Sequence, residues 1–121
     1  MSLTNAGEDW LLGLFRNNGP FYLGLFTEAP GEEGGGSEIT AGGYTRQEVV
    51  FGSPSDGKLS NSEAIEFPTA TANWGSAVAC GLFDSLSGGT LRWFGEITEP
   101  KELYAGDIYR VDIGNLNITM D

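Results

Sequence analysis

From Phe21 onward the chain is a succession of short segments in which apolar and polar residues alternate, each closed by glycine, proline or a turn-forming Asn or Asp. "FYLGLFTEAP", "GGYTRQEVVFG", "AIEFPTATANWG", "VACGLFDSLSGGTLRWFGEI" and "LNITMD" all follow this pattern. A period of two is that of a strand with one buried face, and breakers at such intervals mark the turns between strands. The expected fold is all-β, seven or eight antiparallel strands in a sandwich or jelly roll, preceded by a short N-terminal amphipathic helix. At 121 residues the chain fits a single domain, and its three Trp, seven Phe and four Tyr supply the large apolar groups a core needs.

Residues 1–19 differ from the rest. Leu3, Trp10, Leu11, Leu14 and Phe15 recur on one helical face, and Asn5 with Glu8 matches a capping pair, so the sequence predicts a helix over 5–16. "RNNGP" ends it, because Asn and Gly accept positive φ and Pro20 cannot continue a helix. In the first strand Phe21, Leu23 and Leu25 point to one face and Tyr22 and Phe26 to the other, which calls for cover on both sides; the helix is expected to supply the second.

Residues 28–43, "EAPGEEGGGSEITAGG", read as a long Gly/Glu-rich loop, exposed and available to a partner. Pro54, Asp56 and Gly57 in "SPSDGK" mark a turn, and "DSLSGG" joins the central strand, from Ala77 to Phe83, to "TLRWFGEIT" in a hairpin. Phe83 and Trp93 are expected to pair across it, and with Trp74 to belong to the core.

Reactive chemistry is largely excluded. With no His there is no imidazole base, no His-ligated zinc and no Ser-His-Asp triad, and the lone Cys80 supports neither a disulfide nor a thiolate cluster. Glu32, Glu33, Glu38 and Asp84 offer hard oxygen ligands, but not in the spacing of an EF-hand, and "GEEGGG" lacks the lysine and fingerprint of a phosphate loop. No catalytic residue, cofactor or metal is expected. Six Lys plus Arg against 17 Asp plus Glu give a net charge of −11, which repels nucleic-acid phosphates and anionic lipid. The N-terminus lacks the basic and long apolar regions of a secretory signal and no apolar stretch reaches the length of a membrane span, so the chain reads as soluble and made in the cytosol.

One set of motifs goes further. "YLGLFT" before "AP", "GGGSE" followed by "GGYTRQ", "FG" with "PS" leading to "NS", then "FP", "AT" and "WG", "GLFD" ahead of "GG", and "AGD" before the last strands together resemble a family of small tailed-bacteriophage proteins usually called tail fibre proteins. The resemblance runs from about residue 8 to the C-terminus. It implies a non-enzymatic structural component of a virion that contacts other phage structural proteins as a homo-oligomer, with a cyclic trimer as first expectation. A tail fibre or tail-tip module is the leading reading, a capsid decoration protein the second, and a carbohydrate-binding head the third. The residues expected to dock are Trp10, Leu11, Leu14 and Phe15 on the helix and Glu28, Glu32, Glu33 and Glu38 in the long loop.

Overall fold

The computed structural model describes residues 1–120. Those residues form one helix, α1 (Asn5–Asn17), and nine strands: β1 (Phe21–Glu28), β2 (Ser37–Glu38), β3 (Gln47–Val49), β4 (Lys58–Ser60), β5 (Ile65–Glu66), β6 (Gly75–Phe83), β7 (Leu91–Leu103), β8 (Arg110–Val111) and β9 (Asn117–Thr119). The protein is therefore mostly β with one short N-terminal helix, as expected. Its strands exceed the seven or eight read from the sequence because several ladders are only two or three residues long, too short to show a period. They form one five-stranded sheet, β2-β1-β6-β7 with β3 also paired to β1, and two two-stranded sheets, β4-β9 and β5-β8. The β1–β2, β1–β6, β6–β7 and β4–β9 pairings are antiparallel.

The chain is organised as two compact units and crosses between them four times, at 20/21, 48/49, 65/66 and 110/111. The first unit holds Met1–Pro20, Val49–Ile65 and the residues from Val111 onward. Helix α1 starts as the sequence predicts, but its cap is Thr4, whose Oγ1 accepts the Gly7 N–H at 3.0 Å, and not Asn5 with Glu8. Asn5 already lies inside the first turn, past the position from which a side chain can reach back to the free N–H groups. The helix packs on β4. Leu12 is fully buried, with Leu59, Phe51 and Ile118 also in the core of this unit, and Phe15 meets Phe51 edge to face at 6.1 Å. Asp56 and Gly57 both take positive φ, the requirement of a tight two-residue hairpin turn, and the Gly57 N–H donates to Asp9 Oδ1 at 2.7 Å.

Asn61 holds the rest of this unit together. It is 2% exposed, yet its Nδ2 donates to the carbonyls of Glu63 (2.9 Å) and Asp112 (3.0 Å) and its Oδ1 accepts the Leu116 N–H at 2.9 Å. Its backbone N–H and carbonyl bond Leu116 and Gly114 as well. One amide thus ties residues 61–63 to residues 112–116.

The second unit holds Phe21–Glu48 and Glu66–Arg110. Strand β1 is buried on both faces, Leu23 and Leu25 on one and Gly24 and Phe26 on the other. Cover on the Gly24 and Phe26 face comes from inside the same unit, where Phe83 stacks on Phe26 at 6.0 Å and Tyr44 and Glu38 close over Gly24. Gly24 and Gly81 sit opposite each other in the β1–β6 register, and a methyl group at either position would have to displace a neighbouring side chain. A Cβ on Gly24 would lie 2.7 Å from Glu38 Oε2 and 3.1 Å from Phe83, and one on Gly81 would lie 2.5 Å from Leu91 Cδ1. This pair of glycines makes the floor on which the rings lie.

Strand β7 is longer than the sequence predicts because Ile97, Thr98, Glu99 and Pro100 stand opposite Val78 alone, a bulge between the Ala79↔Glu96 and Ala77↔Lys101 pairs. A second irregularity corrects the expected aromatic pair. It sets Leu91 opposite Phe83 and Trp93 opposite Leu82, so that Phe83 stacks with Phe26 instead. Trp74 is buried, donating from Nε1 to the Gly42 carbonyl at 2.8 Å and meeting Tyr44 edge to face.

Candidate functional site

The second unit carries a cleft of about 480 Å³ whose floor is Phe26, Phe83 and Leu91, one residue from each of β1, β6 and β7. One wall is Glu32, Glu33, Gly34 and Gly35; the other is Gly89 and Thr90. The acidic wall is a tight turn in which Gly31 and Gly34 exchange N–H to carbonyl bonds, both 2.9 Å, with Glu32 and Glu33 at its tip. Gly36 closes the turn at φ +74°, where a Cβ would lie 2.6 Å from the Glu28 carbonyl oxygen, so the return into β2 requires glycine. The opposite wall is the loop between β6 and β7. Asp84 closes it by accepting the Thr90 N–H at 2.8 Å and pairing with Arg92 at 3.0 Å.

Arg46 fastens the loop between β6 and β7 to β2 and to the floor. Its guanidinium lies 3.4 Å above the Phe83 ring. Nε and Nη2 donate to the two Glu38 oxygens at 2.9 and 2.8 Å, and Nη1 donates to the carbonyls of Ser85 (2.9 Å) and Gly88 (2.7 Å). A two-pronged bond to a carboxylate with stacking on an aromatic face uses the geometry peculiar to arginine. Tyr44 completes the group, donating to Glu38 Oε2 at 2.5 Å and accepting the Leu25 N–H at 3.0 Å.

These contacts set the ionisation of the group. Burial alone pushes the Glu38 carboxyl up, but the hydrogen bonds from Arg46 and Tyr44 and the Arg46 charge outweigh it and hold the group below the usual carboxylate range. Burial and the bond to Glu38 push the Tyr44 phenol far above its ordinary value, so it stays a neutral donor. The bond to Glu38 raises Arg46 further. Because Glu38 is depressed in the folded state, its contribution is complete above the unfolded carboxylate value of about 4.3 and is lost as pH falls through the lower folded value. Urea midpoints should therefore stay level from about pH 6 to 5 and drop below about pH 4. In Glu38→Gln that acid drop should be visibly shallower; an unchanged drop would assign it to other carboxylates.

The residues expected to dock fall into different settings. Trp10 and Leu14 are 66% and 43% exposed on α1, whereas Leu11 and Phe15 are half-buried, Phe15 against Phe51 of its own unit. Glu28 ends β1, exposed, with its Oε1 accepting from Ser37 Oγ at 2.9 Å. Glu32 and Glu33 are brought together at the cleft. Glu38 lies in β2, not in an open loop, and both its oxygens are committed to Arg46 and Tyr44. Phe26, Phe83 and Leu91 could not be told from ordinary core in the sequence. Arg46 left a trace, since an arginine in so acidic a chain, close to an apolar run, has to be paired. Cys80 is half-buried in β6, and burial pushes its thiol up, away from the reactive thiolate. No group of three or more acidic or cysteine side chains arranged to hold a metal occurs among the described residues, and no helix among them is long and apolar enough to cross a membrane.

A family model described as podophage GP4 fiber I protein gp80 matches residues 3–119. No curated protein matches the chain.

Proposed function

The chain belongs to the podophage GP4 fiber I protein family, a phage fibre family and so a structural component of the virion, and from that premise we propose that it is a tail fibre or tail-tip module without enzymatic activity. The observation that carries the reading is the extent of the match, which takes in the helix and all nine strands, across both compact units. Two features of the molecule support it. The loop that presents Thr90 is tied down by Arg46 and Asp84, and the turn that presents Glu32 and Glu33 is closed by the paired Gly31 and Gly34 bonds, as a repeatedly loaded contact surface requires. The helix also leaves Trp10 and Leu14 exposed, an apolar pair of the kind subunit contacts use.

The module works through many weak contacts repeated around a symmetric assembly, so that holding strength comes from valency. In this reading the copies form a cyclic trimer, Trp10 and Leu14 meet a neighbouring subunit, and the exposed carboxylates of Glu28, Glu32 and Glu33 face other phage structural proteins. Separating disrupted virions into capsids and tails on a gradient and probing each for this chain tests the reading. Signal in the tail fraction is expected. Signal on capsids at copy numbers comparable to the shell protein would make it a head decoration protein instead.

A further inference from the structure

The cleft between the two glycine-rich walls has an apolar floor and an acidic rim that no other part of the unit neutralises. The two cations beside it are already occupied, Arg46 by Glu38 and Arg92 by Asp84. Glu32 and Glu33 are exposed, and neither carboxylate has a hydrogen-bond or ion-pair partner among the described residues. The charge left at the cleft is therefore theirs, set within the field of a chain of net charge −11.

The floor decides what kind of molecule fits. Phe26 and Phe83 are only 2% and 9% exposed, and the Arg46 guanidinium lies against Phe83, so neither ring offers the open face on which a sugar stacks. What remains is the half-buried Leu91 above the rings, near two carboxylates and flanked by Gly34, Gly35 and Gly89. That combination suits an alkyl chain with a cation at its end, the stem along Leu91 and the head at the rim. We propose that the cleft receives a lysine or arginine side chain from a basic segment of a neighbouring virion protein, with the half-buried Leu91 taking the stem and Glu32 and Glu33 the charge. That the partner is a virion protein rests on the fibre reading; that the cleft takes a cationic side chain does not.

Amide chemical shifts of the full chain test this directly. Nα-acetyl-arginine methylamide is titrated beside Nα-acetyl-norleucine methylamide, which has a comparable stem without the charge, and methyl glucoside. The arginine amide should shift Gly34, Gly35, Gly89 and Thr90 with a dissociation constant in the millimolar range, and the norleucine amide should bind roughly tenfold more weakly. The double variant Glu32→Gln, Glu33→Gln changes only exposed groups and should keep the remaining spectrum while weakening the arginine amide about tenfold. Raising salt from about 50 to about 500 mM should weaken it further. Equal binding of the norleucine amide, glucoside shifts at these residues without arginine shifts, or no loss in the double variant would overturn the proposal. Self-association of the chain that disappears in the double variant would overturn it in favour of a second copy as the occupant. Since the titration uses the isolated chain, its failure leaves the fibre assignment intact, and a capsid location in the gradient leaves the cleft chemistry intact.

Discussion

Replacing Arg46 with alanine is expected to lower the unfolding free energy by about 3 kcal/mol, the cost typical of breaking a largely buried ion pair from one side. The pair is well shielded, with side-chain exposures of 9% for Arg46 and 21% for Glu38. Without the guanidinium, Glu38 keeps only the Tyr44 hydroxyl, the carbonyls of Ser85 and Gly88 lose their donor, and Phe83 loses the group lying on its face. Arg46→Lys should recover part of the loss, because an ammonium restores charge but cannot bridge both Glu38 oxygens and two carbonyls from one plane. A double-mutant cycle with Glu38→Gln isolates the pair and should give a coupling of about 1 to 3 kcal/mol. Urea unfolding of the four proteins supplies the numbers. A loss below about 1 kcal/mol in Arg46→Ala would mean that the cluster contributes little to stability.

A loss of about 2 to 4 kcal/mol is expected for Asn61→Leu, although leucine is close in volume and better suited to burial. The substitution leaves the Leu116 N–H and the carbonyls of Glu63 and Asp112 without their side-chain partner in a place the amide now fills. Asn61→Asp discriminates between volume and bonding. It keeps an acceptor for Leu116 but turns both donations into contacts between a carboxylate and carbonyl oxygens, so it should be no better than leucine. Thermal unfolding of the three proteins checks the order. If leucine matched the native chain, the network would be worth no more than the apolar contact that replaces it.

Both sites show where the sequence stops being legible. The helix, the tight turn at Asp56 and Gly57 and the central antiparallel strands could be read because each is specified by residues close together in the chain: an apolar face, a pair able to take positive φ, an alternation of period two. Thr4 was missed in favour of Asn5 because neighbouring capping residues compete and packing decides between them. The partner of Phe83 was misassigned because a one-residue irregularity in register lies below what a pattern can reveal. Asn61 and Arg46 act across separations of 51 and 39 residues, to Asp112 and Ser85, and distances of that kind leave no local mark. The cleft was half visible: its carboxylates stood out as a Gly/Glu-rich segment, while its floor looked like any other part of a hydrophobic core.

The fourfold crossing of the chain between its compact units bears on how such a gene can change. No single cut in the chain leaves both units whole, since the first is assembled from the beginning, the middle and the end of the sequence and the second from what lies between. A recombination event with one breakpoint inside the coding sequence therefore joins fragments that must still fit one another at every crossing, and two unrelated parents will seldom supply them. Heritable variation is expected to concentrate instead where the chain leaves and returns at the same point, such as the Glu32–Glu33 tip, closed by Gly31 and Gly34, and the loop that Asp84 and Thr90 pinch shut. The gene is expected to travel between phages as a whole and to diversify at its tips.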